Sequence, residues 1–197
     1  RWEMHESKAR DWPRHVRWRP AKGAGLEHVT LSETQQGYSA HGVAVGARGR
    51  APYGLTWRVE TDRGWNTTAL WLMTTDGESI ALASDGAGNW RADTAEGPPL
   101  PDFAGCIDVD IAATPFANTL PIRRLGLAIG ESARIRVLYL PVPSLVPEVV
   151  EQRYTRLAER RWLYEGLFRG FQAELEVDGD GIVLDYPETF LRIAPEA

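Results

Sequence analysis

The sequence predicts a mainly β domain in which many short strands surround a single helix. Turn residues recur between short stretches of alternating polar and apolar residues, as in β-sandwiches and β-barrels. Clear helix signals occur only in residues 105–125, and strands and helices do not alternate regularly along the chain. A lone apolar helix in a strand-rich chain is buried most economically inside the sheet. We therefore expect a spiral or barrel-like sheet wrapped around residues 105–125.

The composition indicates one globular domain of ordinary character. The 197 residues are 43% hydrophobic and 25% charged, so we expect a single domain over residues 1–197. Residues 1–22 contain seven Lys or Arg against three acids, and we expect residues 1–13 to form a basic, partly ordered leader. The net charge of −5 argues against a nucleic-acid partner, because such proteins need a basic surface.

The cysteine content and the hydropathy pattern bear on the compartment. Cys106 is the only cysteine, so no intrachain disulfide can form and an oxidising compartment is not required. No apolar run approaches the ~18 residues that indicate a membrane span, and the N-terminus lacks the apolar core of a signal peptide. These features predict a cytoplasmic protein without stable membrane insertion.

Strands are predicted on both sides of the central segment. Alternation and turn residues place them at 16–19, 25–33, 37–47, 52–62, 65–75, 79–83, 134–140, 171–177 and 182–186. Residues 69–73 are apolar on both faces, so we expect that strand to be covered on both sides. Residues 149–165 fit a helical stripe and a strand about equally well.

The first half of the central segment predicts a strand with two carboxylates on one face. Val109 and Ile111 fall on one side of this strand. Cys106, Asp108 and Asp110 fall on the other side, because successive side chains alternate. Residues two apart in a strand have Cα atoms roughly 6.6 Å apart. The carboxylate pair is compatible with acid–base chemistry, a metal site, acceptors for sugar hydroxyls, or a solvated strand face.

The second half of the segment predicts a short helix. Thr114 has the hydroxyl of an N-cap, and Pro115 suits the first helical position. Pro121 disfavours helical geometry at the residue before it, so we expect a stop or a kink there. Arg123 and Arg124 then stand where a helix C-terminus favours cations.

Two further groups stand close to the carboxylates in sequence. Arg123 and Arg124 could clamp a phosphate or carboxylate of a ligand, or they could pair with Asp108 or Asp110. The thiol of Cys106 is expected to stay neutral beside carboxylates and to be a poor nucleophile.

Several motifs of this chain also resemble one known family. The most specific are residues 106–110 (CIDVD) and 114–124 (TPFANTLPIRR). Supporting motifs follow in the family's order at 25–28 (GLEH), 85–90 (DGAGNW), 152–155 (QRYT) and 181–187 (GIVLDYP). Together they cover residues 17–193 and resemble the glycolipid-binding family. One departure is Ala117, where the family usually carries threonine.

The resemblance implies a fold more firmly than a function. The family's fold is a spiral β-roll around a single helix, similar to bacterial carriers of lipidated proteins. Such a roll favours strand over helix for residues 149–165. It also implies a binding protein for a glycolipid, although nothing in the sequence itself selects a sugar.

Our leading hypothesis is therefore non-enzymatic binding or carriage of an amphiphilic ligand, a glycolipid or a fatty-acyl compound, beside the central helix. An apolar pocket with a few polar groups is the usual form of such a site. We expect no metal, no cofactor and no catalytic residue. The candidate ligand-binding residues are Trp57, Trp71, Phe116 and Leu120 as lining, Asn118 and Thr119 as polar contacts, and Asp108, Asp110, Arg123 and Arg124 near the head group.

Two alternatives remain open from the sequence. The first is an enzyme that acts on a glycosyl or lipid substrate through Asp108 and Asp110. Two acids side by side on one strand approach a sugar from the same side, which argues against glycoside hydrolysis by this pair. The second is a solid-cored protein whose exposed sheet edge binds another protein.

Overall fold

The computed structural model describes residues 12–194 and shows two β-sheets around one short central helical segment. A separate 3₁₀ turn spans Pro101–Phe103. The predicted mainly β class with a helix near Pro115 is thereby confirmed. The single domain over residues 1–197 stays a prediction, and residues 1–11 of the predicted leader lie outside the described residues. No helix within residues 12–194 is both long and apolar enough to cross a membrane.

Thirteen strands form the two sheets of the described chain. In chain order they are β1 (Arg14–Pro20), β2 (Leu26–Glu33), β3 (Gly37–Arg48), β4 (Ala51–Asp62), β5 (Thr67–Thr74), β6 (Ser79–Ser84), β7 (Trp90–Ala92), β8 (Asp108–Ile111), β9 (Ser132–Leu140), β10 (Glu148–Ala158), β11 (Arg161–Gly166), β12 (Phe171–Glu176) and β13 (Phe190–Arg192). The first sheet is antiparallel with the order β13-β1-β2-β3-β4-β5-β6-β7. The second has the order β12-β11-β10-β9-β8, and β8 runs parallel to β9.

Two strand predictions have opposite outcomes. Residues 149–165 lie in β10 and β11, so the preference for strand is confirmed. The strand predicted over residues 182–186 is wrong, because Val183 and Tyr186 form only isolated bridges. The chain instead continues to β13, which pairs with β1 and so adds an edge strand to the first sheet.

The helical segment begins as predicted and ends differently. The Thr114 hydroxyl accepts a hydrogen bond from the Phe116 amide, and a 3₁₀ turn over Pro115–Asn118 leads into α1 (Thr119–Leu125). The stop or kink expected at Pro121 is wrong, because this proline lies in the first turn of α1. There its missing N–H costs no intrahelical hydrogen bond. The helix ends at Gly126, whose φ of 56° is left-handed.

The helical segment packs against side chains of both sheets. Phe116 and Leu120 belong to a buried cluster that includes Trp57 of the first sheet. Ile122 belongs to a second cluster with Tyr154 and neighbouring residues of the second sheet. The helix is therefore part of the protein core.

Strand β5 of the first sheet has one covered face. Leu70 and Leu72 of β5 are buried, whereas Trp71 and Met73 are 36% and 41% exposed on the opposite face. The expectation that residues 69–73 are covered on both sides is wrong, because the second sheet and the helix cover the inner face alone.

Candidate functional site

A cavity of about 420 Å³ opens beside the start of the helical segment. Its size is within the usual range for small-molecule sites. The residues that line it come from the first sheet, the central segment and the second sheet. The lining residues are Arg48, Asp110, Ile111, Ala112, Thr114, Asn118, Tyr139, Tyr164, Gly166, Phe168, Arg169, Phe171, Tyr186, Thr189 and Phe190.

Aromatic rings form much of the cavity wall. Tyr139 and Tyr164 are buried, whereas Phe168 and Phe171 are 37% and 44% exposed, so the wall has an inner and an outer end. The Tyr186 ring stacks on that of Phe171, with 6.2 Å between centroids, and Tyr139 lies 5.6 Å from Phe168. These contacts hold the rings in place by packing and edge interactions.

Asp110 is the acidic residue of the cavity lining. One carboxylate oxygen, Oδ2, accepts a hydrogen bond of 2.7 Å from Nε2 of the buried Gln152. Burial raises the pKa of Asp110 to about 6, against the opposing effects of the Gln152 hydrogen bond and of the cations Arg48 and Arg169. Near neutral pH this side chain can accept hydrogen bonds and still exchange a proton.

Asp108 has different surroundings although it shares the predicted face with Asp110. The guanidinium of Arg124 binds it in bidentate geometry, with Nε at 3.0 Å from Oδ1 and Nη2 at 2.6 Å from Oδ2. Asp108 is 1% exposed. Burial raises its pKa and the ion pair with Arg124 opposes that rise. Its oxygens are thus already occupied, and it does not line the cavity.

Asn118 lines the cavity and is held by two hydrogen bonds. Its amide nitrogen donates to the Pro115 carbonyl at 3.2 Å, and its amide oxygen accepts from the Tyr154 hydroxyl at 2.8 Å. Of the ten predicted ligand-binding residues, Asp110 and Asn118 are the two that the structure brings to this cavity.

Four predicted residues lie in the packed core instead. Trp57, Phe116, Thr119 and Leu120 are all almost completely buried. Trp57 stacks on Phe116 with ring centroids 5.6 Å apart, and its indole N–H donates to Glu27 at 2.9 Å. These side chains fill the space beside the helix in which the sequence placed a ligand.

Two further predicted residues do not line the cavity. The Arg123 guanidinium packs over the ring of Trp65 at 5.0 Å and borders a separate pocket of about 260 Å³ near the end of α1. Trp71 lies on the outer face of the first sheet, opposite Arg58 of β4 and Ala81 of β6.

Cys106 lies in the packed core. It is fully buried and belongs to the same cluster as Val109 and Ile111. The predicted placement on the Asp108 face is wrong, because β8 starts at Asp108 and the alternation does not extend back to residue 106. Burial raises the thiol pKa, a hydrogen bond with Arg136 and the charge of that arginine oppose the rise, and the charge of Asp108 adds to it. The direction agrees with the predicted neutral thiol.

The comparisons with known proteins agree with this fold. The sequence model of the family described as "Putative glycolipid-binding" matches residues 15–192. The chain belongs to this family. It is also similar to a DUF1089 family protein from Pseudomonas aeruginosa, whose crystal structure was determined at 1.80 Å resolution. That protein is 38% identical, the alignment covers 89% of this chain and 95% of that chain, and the TM-score is 0.77. Among curated proteins, none matches the chain.

Most of the cavity lining of this family member was missed by reasoning from the sequence. The missed side chains come from the end of β3, from β9, and from the hairpin of β11 and β12 with the segment that follows it. The main ones are Arg48, Tyr139, Tyr164, Phe168, Arg169, Phe171, Tyr186 and Phe190. A weak signal did exist, since aromatic residues are concentrated between positions 162 and 171. Within residues 12–194, no three His, Cys, Asp or Glu side chains could jointly hold a metal ion.

Proposed function

We propose that this protein binds an amphiphilic molecule, a glycolipid or an acyl-chain compound, and does not transform it chemically. The observation that carries the proposal is the cavity between the sheets, with aromatic walls and the carboxyl of Asp110. The family description supports a glycolipid as the ligand. The absence of any possible intrachain disulfide supports a role in the cytoplasm.

The inner end of the cavity suits the polar head group. Gln152 uses one oxygen of Asp110, and the other oxygen has no hydrogen-bond partner among the described residues. A sugar hydroxyl can therefore donate to it, whereas the polar groups of Asn118 and Thr114 in the same lining already form hydrogen bonds within the protein. The buried rings of Tyr139 and Tyr164 present flat apolar surfaces to the C–H faces of a sugar ring.

The outer end of the cavity suits an alkyl chain. Phe168 and Phe171 are partly exposed there and would cover the first methylene groups. The region beside the helix is less suitable, because Trp57, Phe116 and Leu120 already fill it. We therefore place the chain across the aromatic rim and not in the core.

Octyl β-D-glucoside below its micellar concentration is a suitable neutral probe, measured by isothermal titration calorimetry. The substitution Ala112→Trp introduces an indole into the cavity and should abolish binding. The matched control is Val45→Trp, because Val45 is 55% exposed on the first sheet and does not line the cavity. Equal binding by the wild type and Ala112→Trp contradicts the proposal.

A second candidate function is an enzyme that uses Asp110. The specific observation is that Asp110 lines an open cavity, where burial raises its pKa to about 6, as would suit a general acid or base. A paired-carboxylate glycosidase is disfavoured, because the described lining contains no second acid and Asp108 is bound by Arg124. We expect no hydrolysis of aryl glycosides or lipid esters. Hydrolysis by the wild type that disappears in Asp110→Asn would favour the enzyme.

A further inference from the structure

We propose that the amphiphile bound in this cavity is anionic, with a phosphate or carboxylate on or next to its sugar, and that Arg48 and Arg169 bind this anion. The inference rests on the proposed function, since it specifies the ligand class of the same site. It is carried by the position of the two arginines and by their lack of carboxylate partners within residues 12–194.

The two arginines reach the cavity from different sheets. Arg48 is the last residue of β3 in the first sheet. Arg169 stands in the turn between β11 and β12 of the second sheet. Both side chains line the cavity, and both act electrostatically on Asp110. Two cations from separate parts of the chain therefore converge on one opening.

Neither arginine forms an ion pair with a described residue. Nη1 of Arg48 makes a long hydrogen bond of 3.4 Å to the Ala112 carbonyl. Elsewhere in residues 12–194, arginines such as Arg14, Arg63 and Arg124 do pair with carboxylates. Asp110, the acid of the same lining, accepts its hydrogen bond from Gln152 and forms no ion pair with either guanidinium.

The aromatic surroundings of the Arg169 guanidinium favour anion binding by this group. Its Cζ lies 5.2 Å from the ring centroid of Tyr139 and 5.1 Å from that of Phe168. Contact with aromatic rings restricts the guanidinium through its flat faces. The N–H groups at its edge stay in the guanidinium plane, where a phosphate or carboxylate can accept two parallel hydrogen bonds.

The charge of the lining favours an anion over a neutral ligand. Its charged side chains are Arg48, Arg169 and Asp110, so positive charge is in excess even when the carboxyl is ionised. Both arginines are exposed at the outer part of the cavity, whereas Tyr139 and Tyr164 are buried. A sugar at the inner end would thus have its anionic group near the rim, before the alkyl chain leaves the protein.

Three probes test the inference by calorimetry. Octyl β-D-glucoside and octyl β-D-glucuronide differ only in a hydroxymethyl group against a carboxylate. Dioctanoyl phosphatidylinositol instead has a phosphate between a polyol and its chains. The wild type should bind at least one anionic probe about tenfold more tightly than the glucoside at low salt, and the advantage should shrink at high salt. Tighter binding of the glucuronide would indicate a ligand with a carboxylate on the sugar. Tighter binding of the phosphatidylinositol would indicate a ligand with a phosphate at the linkage.

The double substitution Arg48→Gln with Arg169→Gln should remove the preference, so that neither anionic probe binds more tightly than the glucoside. The matched control is Arg63→Gln, because Arg63 pairs with Glu33 away from the cavity. If neither anionic probe binds more tightly than the glucoside, or if the preference survives the double substitution, the inference is overturned and the proposed function stands. If no probe binds, the proposed function fails as well.

Discussion

The interior has a filled part and an open part, and each contains a carboxyl group with a raised pKa. In the filled part, Glu27 is 3% exposed and accepts a hydrogen bond from Trp57. Burial raises its pKa to about 8, against opposing hydrogen bonds from Thr114 and Trp57. In the open part, Asp110 lines the cavity with a pKa of about 6. A raised pKa alone thus does not indicate a ligand-binding site. Glu27 and Asp110 differ in that only the carboxyl of Asp110 lines a cavity that a ligand can enter.

The largest expected effect comes from the filled part. Trp57→Ala removes a fully buried indole that stacks on Phe116, and should lower the free energy of unfolding by about 3–5 kcal/mol. Trp71→Ala is the matched control, because Trp71 is 36% exposed on the outer face and should cost about 1 kcal/mol. Urea unfolding measures both. Equal losses would mean that the outer face of β5 is covered.

The next prediction concerns the pH dependence of stability. Folding raises the pKa of Glu27 from 4.5 to about 8, so the folded state keeps a proton that the unfolded state releases. The free energy of unfolding should therefore fall as pH rises from about 4.5 to 8, by at most about 1.4 kcal/mol per unit from this group.

The substitution Glu27→Gln should reduce the decrease of the free energy of unfolding with rising pH. The reduction should be clearest above pH 6, because Asp110, with its pKa of about 6, no longer contributes to the pH dependence there. Urea unfolding at several pH values tests it. An unchanged slope in Glu27→Gln between pH 6 and 8 would show that Glu27 is ionised in the folded protein.

A smaller effect is expected on ligand affinity in the open part. Asp110→Asn removes a charged acceptor and should weaken octyl β-D-glucoside binding by about 1.5–3 kcal/mol. Asp108→Asn should leave affinity unchanged and lower stability instead, since it breaks the ion pair with Arg124. Calorimetry and urea unfolding separate the two effects. If Asp108→Asn weakened ligand binding and Asp110→Asn did not, the ligand-binding carboxylate would be Asp108 and the proposed role of Asp110 would be wrong.

The smallest effect is expected at the single cysteine. Burial raises the pKa of the Cys106 thiol, which is packed against Val109 and Ile111. Cys106→Ser should therefore change ligand affinity by less than about 1 kcal/mol, the scale of a mild substitution. Loss of binding in a variant whose circular dichroism is unchanged would reveal a role for the thiol.

The sequence determined the local features of this protein. Alternation in β8 correctly placed Asp108 and Asp110 on one face, and Thr114 with Pro115 marked the start of the helical segment. These features depend on hydrogen bonds and side-chain directions within a few residues, so the spacing of residue types reveals them. The resemblance to the family implied two further features, the rolled sheet and the strand conformation of residues 149–165.

Tertiary structure alone decided which of these residues face an opening. Asp108 and Asp110 are indistinguishable in the local pattern, but Arg124 binds the first and the cavity exposes the second. Trp57 and Trp71 both lie in strands of the first sheet. Trp57 is buried because the second sheet covers its face of the first sheet, whereas Trp71 is on the opposite face and is partly exposed. The cavity joins Arg48 to Arg169 across more than a hundred residues of chain. Such contacts depend on how the two sheets pack together, and residue spacing within a strand carries no information about that packing.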